Sequence, residues 1–158
     1  MSVTTGIGWD VHRLAEGRDL VLGGVRIEHD RGLEGHSDAD VLTHAVIDAL
    51  LGAAGLGDVG EHFPDTDEAF RGADSLALLR DVVALLGPRE VVHVDVSVLM
   101  ERPRLAPHKQ AIRDRLAGAL GVGPDRVNVK ATTGERLGFV GREEGVAALA
   151  VATLSRPD

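Results

Sequence analysis

The sequence predicts an α+β protein, one domain over residues 1–158 with helices layered on one face of a mixed β-sheet. Three observations carry that expectation. The chain has 158 residues, 44% of them apolar and 27% charged, which is the size and balance of one globular domain able to bury a core. Alternating stretches, such as V-V-H-V-D-V-S-V-L at 91–99, are interleaved with segments of helical spacing. Gly and Pro fall between these segments, with no repeat, low-complexity tract or linker to divide them.

In chain order, residues 3–14 read as a strand that leads into a loop. Leu20-Val21-Leu22, Gly23-Gly24 and Val25-Arg26-Ile27 form a hairpin signal with two glycines at the turn. Ser37 followed by Asp40 resembles a capping box, with an acid in place of the usual Glu or Gln. From there Val41, Ala45, Asp48, Ala49 and Leu51 keep helical spacing, and Gly52 and Gly55 mark the end. Residues 56–72 are a Gly/Pro/Asp-rich loop, long for a compact domain and therefore expected to be functional. Asp74 and Ser75 can cap a helix over 76–86, stopped by Gly87-Pro88. A strand at 91–99 follows, then a helix from Pro107 to about Leu120 with Gly121 as terminator. Residues 127–131 and 145–154 read as the last two strands, although the alanines of the second also suit a helix.

Composition excludes several classes of function. Apolar runs are broken well before the roughly 18 residues a membrane-spanning helix needs. The N-terminus lacks the basic and apolar regions of a secretory signal, so a cytoplasmic location is expected. With no cysteine there are no disulfides and no thiolate ligands, and a transition metal must be held by His and carboxylate. A net charge of −8 argues against general nucleic-acid binding. An anionic substrate would then need metal ions and locally clustered cations, and Lys109 and Lys130 are the only lysines beside the arginines.

The stretch from Gly35 to Asp67 is dense in His and Asp, yet an apolar helix runs through its middle. Asp10 and His12, two apart on a strand, share a face. His44 on the helix could close a three-ligand site of nitrogen and oxygen donors with one position open, which is the pattern of a catalytic zinc. Asp40, His44 and Asp48 are spaced by four, so either acid could orient the His44 ring; the plainer alternative is a half-buried histidine bonded to a helical neighbour. His36 and Ser37 stand where a helix N-terminus favours anions; Ser37 taken alone reads first as a plain cap, and both roles can hold at once. Asp58, Asp65 and Asp67 read either as turn residues or as ligands for polyol hydroxyls or a metal. In K-A-T-T-G-E (130–135) a strand ends in two hydroxyls, a glycine and a carboxylate, suited to a backbone turning around a phosphate with Glu135 aimed at a divalent ion. Arg102, Arg104 and Arg142 fit phosphate contact and solvated surface about equally.

Taken together, these residues resemble the 2-C-methyl-D-erythritol 2,4-cyclodiphosphate synthase family of the non-mevalonate isoprenoid pathway. The resemblance runs from about Gly6 to the C-terminus. It is carried by G-W-D-V-H-R-L (8–14), G-G-V-R-I (23–27), the run G-H-S-D-A-D-V-L-T-H to G-D-V-G (35–60), F-P-D-T-D (63–67), G-A-D-S (72–75), V-N-V-K-A-T-T-G-E-R-L-G-F (127–139) and G-R-E-E-G (141–145). It implies zinc on Asp10, His12 and His44, and magnesium or manganese on Glu135. It makes His36 and Thr133 the groups that stabilise the phosphoryl-transfer transition state. Asp58, Gly60, Phe63, Pro64, Asp65, Thr66 and Asp67, with Ser37, would line the methylerythritol phosphate pocket. The stretches 100–106 and 132–135, with Met100, Arg104, Leu105, Ala106 and Thr132 foremost, would hold the cytidine diphosphate. The family resemblance further implies a homotrimer with active sites between subunits, and Phe139 and Arg142 beside an axial cavity that can hold an isoprenoid diphosphate.

Two positions depart from the family pattern, Arg104 where Lys is common and Gly134 where Thr is frequent. The implied reaction is cyclisation, in which the substrate's own 2-phosphate attacks the β-phosphorus and expels CMP. Two rivals use the same residues. A zinc-dependent phosphoanhydride hydrolase would add water instead, with Asp48 or Asp58 as base. A non-enzymatic trimer would bind isoprenoid diphosphates with structural zinc only.

Overall fold

A computed structural model describes residues 1–158. The strand β1 (Ser2–Ala15) alternates along its length, so Gly6, Gly8, Asp10, His12 and Leu14 face one side and Ile7, Trp9 and Val11 the other. The hairpin β2 (Leu20–Leu22) and β3 (Val25–Ile27) turns through Gly23 and Gly24 at φ 59° and 73°, values that suit glycine. A short strand β4 (Gly32–Glu34) pairs with β1. Then come α1 (Val41–Ala54), the single turn α2 (Val59–His62), a 3₁₀ turn at Glu68–Phe70, and α3 (Ser75–Leu85). The second half runs β5 (Glu90–Leu99), α4 (Lys109–Leu120), β6 (Val127–Thr132), α5 (Gly138–Gly141) and β7 (Gly145–Arg156). The strand order is β4-β1-β7-β5-β6, parallel at β5–β6 and antiparallel elsewhere, so the sheet is mixed as predicted.

Helix α1 packs across β1 and β7, and α3 packs on both α1 and α4. The fit depends on small residues. A Cβ at Gly8 would overlap the carbonyl of Ala45, so the strand approaches the helix backbone directly. Ala148, Ala150 and Ala152 of β7 continue that low surface, which is why this alanine-rich segment is a strand beneath a helix. Eleven residues of α1 are buried, and the three that are not, His44, Asp48 and Gly52, form one i, i+4, i+8 stripe. Within that stripe His44 and Asp48 reach Ser37 and Val59 of the flanking segments, while Gly52 lies against the β1 backbone.

Two expectations at the start of α1 need correction. Ser37 is not the cap; Asp40 is, accepting from Thr43 N at 3.0 Å. Nor does Asp40 share the His44 stripe. Its carboxylate is fully buried and accepts also from the N–H groups of Gly23 and Gly24 at 2.9 and 2.8 Å and from the hydroxyls of Thr43 and Ser75, both at 2.8 Å. Burial and nearby Asp38 push this carboxyl upward, while five donors favour its ionised form. Likewise the 56–72 segment is not a plain loop, since it holds α2 and the 3₁₀ turn.

The helix-free face of the sheet is graded across its strands. Trp9, Leu149, Ser97 and Lys130 lie in one cross-strand row, and Ile7, Val151, Asp95 and Asn128 in the next. The β1–β7 side is apolar and open, with Ile7 68% exposed, Trp9 50%, Val11 44% and Val151 42%. The β5–β6 side is polar, with Lys130 Nζ 2.7 Å from Asp95. No helix is long and apolar enough to cross a membrane.

Candidate active site

Three side chains from β1 and α1 converge on one point. Asp10 Oδ2 lies 3.0 Å from His12 Nε2 and 3.3 Å from His44 Nδ1, and the three potential ligand atoms are all within 4.8 Å of one another. Each imidazole has its other nitrogen engaged. His12 Nδ1 is 3.0 Å from the carbonyl of Glu34, and His44 Nε2 is 3.2 Å from Ser37 Oγ. A His12 proton on Nδ1, donated to the Glu34 carbonyl, leaves Nε2 as a lone pair beside the carboxylate. His44 Nδ1 instead donates to Asp10, and would turn its lone pair inward only when a cation replaces that proton and Nε2–H donates to Ser37 Oγ. His12 Nε2 is in fact buried without a hydrogen bond, Asp10 being close but not aligned to accept one. Burial opposes ionisation of Asp10, but the two imidazoles outweigh it and hold the carboxyl at about 2. Burial likewise disfavours charge on His44, yet Asp10 raises its pKa above the ordinary value. A carboxylate and two imidazoles around an orphaned nitrogen fit a zinc-type cation, which would satisfy that nitrogen.

A cavity of about 420 Å³ opens over this triad. His36 and Ser37 line it together with Gly60, Phe63, Pro64 and Asp65. The loop is braced from both ends. Asp48 accepts from Val59 N at 3.0 Å, and His36 Nε2 is 2.9 Å from the carbonyl of Asp67. Asp58 caps α2 through Glu61 N and Asp67 caps the 3₁₀ turn through Ala69 N, so both carboxylates act locally as turn residues. Asp58, Thr66 and Asp67 lie outside the cavity lining.

A second cavity, of about 680 Å³, brings Met100, Arg104, Leu105 and Ala106 together with Thr132 and Thr133. Arg104 and Lys109 bring unpaired cations to it. Arg102 does not, because its guanidinium grips Glu143 at 2.6 and 3.3 Å. Arg142 pairs with Glu144 at 3.0 Å. Glu135, Phe139 and Arg142 lie outside this lining. The turn at 133–136 differs from the expected phosphate cradle: the N–H groups of Gly134 and Arg136 donate to Glu101, at 2.8 and 3.2 Å, and that of Glu135 to Thr133 Oγ1 at 3.2 Å.

The sequence matches the YgbB family over residues 3–155. The chain belongs to that family. It is 60% identical to the 2-C-methyl-D-erythritol 2,4-cyclodiphosphate synthase of Laribacter hongkongensis, over 98% of this chain and 96% of that one. Among solved structures it resembles the bifunctional IspDF of Campylobacter jejuni at TM-score 0.95 and 45% identity, covering 99% of this chain but 43% of that longer one. It also resembles a CDP-bound 2C-methyl-D-erythritol-2,4-cyclodiphosphate synthase at TM-score 0.87 and 38% identity, over 96% and 99% of the two chains.

In this YgbB-family chain the two cavities share no residue. His36 and Thr133, expected to act on one phosphoryl group, therefore sit in different cavities of a single chain. Several lining residues carried no sequence signal: His29 in the second cavity, Phe70 and Leu78 in the first. Arg18 was also missed. Its guanidinium holds the carbonyls of Leu33 and Gly35 at 3.2 and 3.1 Å and so fixes the loop that carries His36 and Ser37. Arg18 becomes relevant only once β4 returns beside β1, which no local pattern announces.

Proposed function

We propose that this chain converts 4-diphosphocytidyl-2-C-methyl-D-erythritol 2-phosphate into 2-C-methyl-D-erythritol 2,4-cyclodiphosphate and CMP. One observation carries the reading furthest: a buried, unpartnered His12 nitrogen in a carboxylate–imidazole triad, placed at the floor of a cavity in a chain of this family. Asp10, His12 and His44 would hold zinc, Glu135 would hold magnesium or manganese, and the two ions would supply Lewis acidity and neutralise phosphate charge.

The remaining work is positioning, which dominates catalysis of phosphoryl transfer. His36, braced on the Asp67 carbonyl, and Ser37 would hold the methylerythritol phosphate end, a reading supported by their sharing a cavity with Gly60, Phe63, Pro64 and Asp65. Arg104, Met100, Leu105, Ala106 and Thr132 suit the cytidine diphosphate, a role that the CDP-bound relative supports. Asp58, Thr66 and Asp67 contribute by shaping the loop. A new bond forms between a 2-phosphate oxygen and the β-phosphorus as the bond from that phosphorus to the CMP oxygen breaks. No water is consumed, and no protein nucleophile is needed.

The same reading makes the protein a homotrimer in which the first cavity of one subunit meets the second cavity of its neighbour. The open apolar face around Trp9 supports assembly, since a patch of that kind marks an interaction surface. Phe139 and Arg142 would then stand near the axis, where an isoprenoid diphosphate could lodge.

Turnover in ¹⁸O-water tests the reaction against its hydrolytic rival. Cyclisation leaves CMP and the cyclic product unlabelled, because the attacking oxygen belongs to the substrate. A well-aligned internal nucleophile has an effective molarity on the order of 10⁵ M or more, far above that of bulk water. One label per turnover in an open-chain product would make the enzyme a hydrolase.

A further inference from the structure

We propose that Glu101 is a positioning residue, its carboxylate setting the 133–136 turn that presents Thr133 and Glu135. The assignment rests on the proposed roles of those two residues. Its geometry is independent of them. Glu101 follows Met100, whose N–H donates to the carbonyl of Thr132 at 3.0 Å and extends the β5–β6 pairing by one step. That places the Glu101 side chain opposite the turn leaving β6. Its two oxygens then take separate N–H groups, Oε2 that of Gly134 at 2.8 Å and Oε1 that of Arg136 at 3.2 Å.

The backbone between those donors is strained. Glu135 and Arg136 both have positive φ, 52° and 63°, in a region that side-chain-bearing residues rarely adopt. Such conformations persist only where the surroundings over-determine them. Behind the turn there is no slack, because a Cβ at Gly134 would come within 2.8 Å of Gly141 N and 2.9 Å of the Leu137 carbonyl. In front, the carboxylate pins both ends. Successive N–H groups in such a turn form a concavity that binds anions, and here the anion is the protein's own. The turn thus has its shape before any ligand arrives, and its N–H groups are not free to cradle a phosphate.

Glu101 also lines the second cavity beside Arg104 and Lys109. This yields opposite expectations for its removal. If Glu101 acted only as a charge, its loss would strengthen binding of an anionic nucleotide. If it positions the turn, its loss weakens the magnesium-dependent part of that binding.

The experiment compares Glu101→Ala and Glu101→Gln with the wild-type protein, all zinc-loaded. Hydrogen exchange of the peptide spanning 133–137 is measured first, then CDP binding with and without magnesium. The expected result is faster exchange in Glu101→Ala, unchanged zinc content, and at least a ten-fold fall in the factor by which magnesium tightens CDP. Glu101→Gln, which keeps one acceptor, should recover part of both effects, and it serves alone if the alanine variant does not fold. Unchanged exchange, or tighter CDP binding with its magnesium dependence intact, overturns the inference. Absence of CDP binding by the wild-type protein would overturn the nucleotide reading instead, and exchange would still decide the role of Glu101.

Discussion

Ser37 Oγ lies 3.2 Å from Nε2 of His44, on the other side of the ring from Asp10, which is 3.3 Å from Nδ1. A residue placed by its sequence position at a helix terminus is instead the outer partner of a metal-ligand candidate. When a cation takes the place of the Nδ1 proton, Nε2–H donates to Ser37, which holds the imidazole in the ligating tautomer. Removing such a partner typically costs about 10–100-fold in metal affinity. Ser37→Ala is therefore expected to weaken zinc by that order while the fold persists, as read by competition with a chromophoric chelator. An unchanged zinc affinity would reduce Ser37 to a turn residue.

Acid should strip the metal before it unfolds the chain. The His44 pKa is raised by Asp10, so its proton competes with zinc at a higher pH than an ordinary imidazole's would. In the metal-free protein the raised His44 pKa adds stability that is full below the unfolded value and is lost as pH rises through the folded one. Asp10, lowered from 3.8 to about 2, adds stability that is full above 3.8 and is lost as pH falls toward 2. Zinc titrations from pH 8 to 5 should show falling affinity with no change in circular dichroism. Loss of structure ahead of zinc would contradict this order.

Trp9, the only tryptophan, reports on assembly. It stands half exposed on the apolar side of the open sheet face, opposite Leu149. The native protein should sediment as a trimer at micromolar concentration, with blue-shifted tryptophan emission. Trp9→Glu should sediment as a monomer, because it puts a charge where the proposed neighbour would pack. A native monomer with solvent-like emission would refute the trimer.

Asp10 and Ala131 lie in one cross-strand row, joined through Ala148 and Val98, and are three strand spacings apart, about 14 Å. The sheet holds the two cavities apart in one chain, and the proposed trimer would bring them together between two subunits. Asp10→Asn and Thr133→Ala should each be inactive alone yet recover activity when dissociated and reassembled together. In random 1:1 trimers each mixed ring holds one intact site of three, so about a quarter of all sites should work. No recovery on mixing would place both halves of the site in one chain.

Much of this was legible in the sequence because the signals were local. Asp10 and His12 share a strand face by spacing alone, and the Gly23-Gly24 hairpin and the Gly55 and Gly121 helix ends follow from turn chemistry. Asp40 was misplaced because spacing by four describes a helix face equally well whether or not the helix has begun. Ser37 was misread for the same reason: its partner, His44, is reached through a bend in the loop. Arg18 and Glu101 act on segments 15 or more residues away, and their partners are backbone groups, which leave no mark in a sequence. The lack of room at Gly134 likewise became visible only with α5 folded behind it.

The buried Asp40 has a consequence for how the site can change over generations. One carboxylate joins the β2–β3 turn, the first turn of α1 and the start of α3, and His44 sits one helical turn beyond it. The ligand-bearing helix is therefore keyed to the scaffold by a residue that touches no ligand. Substitutions around the cavity rim can drift without shifting the pitch or depth at which His44 meets Asp10. A change at position 40 would disturb three elements together, so adaptation of this enzyme to a new ligand has its freedom in the loops and almost none in the lock.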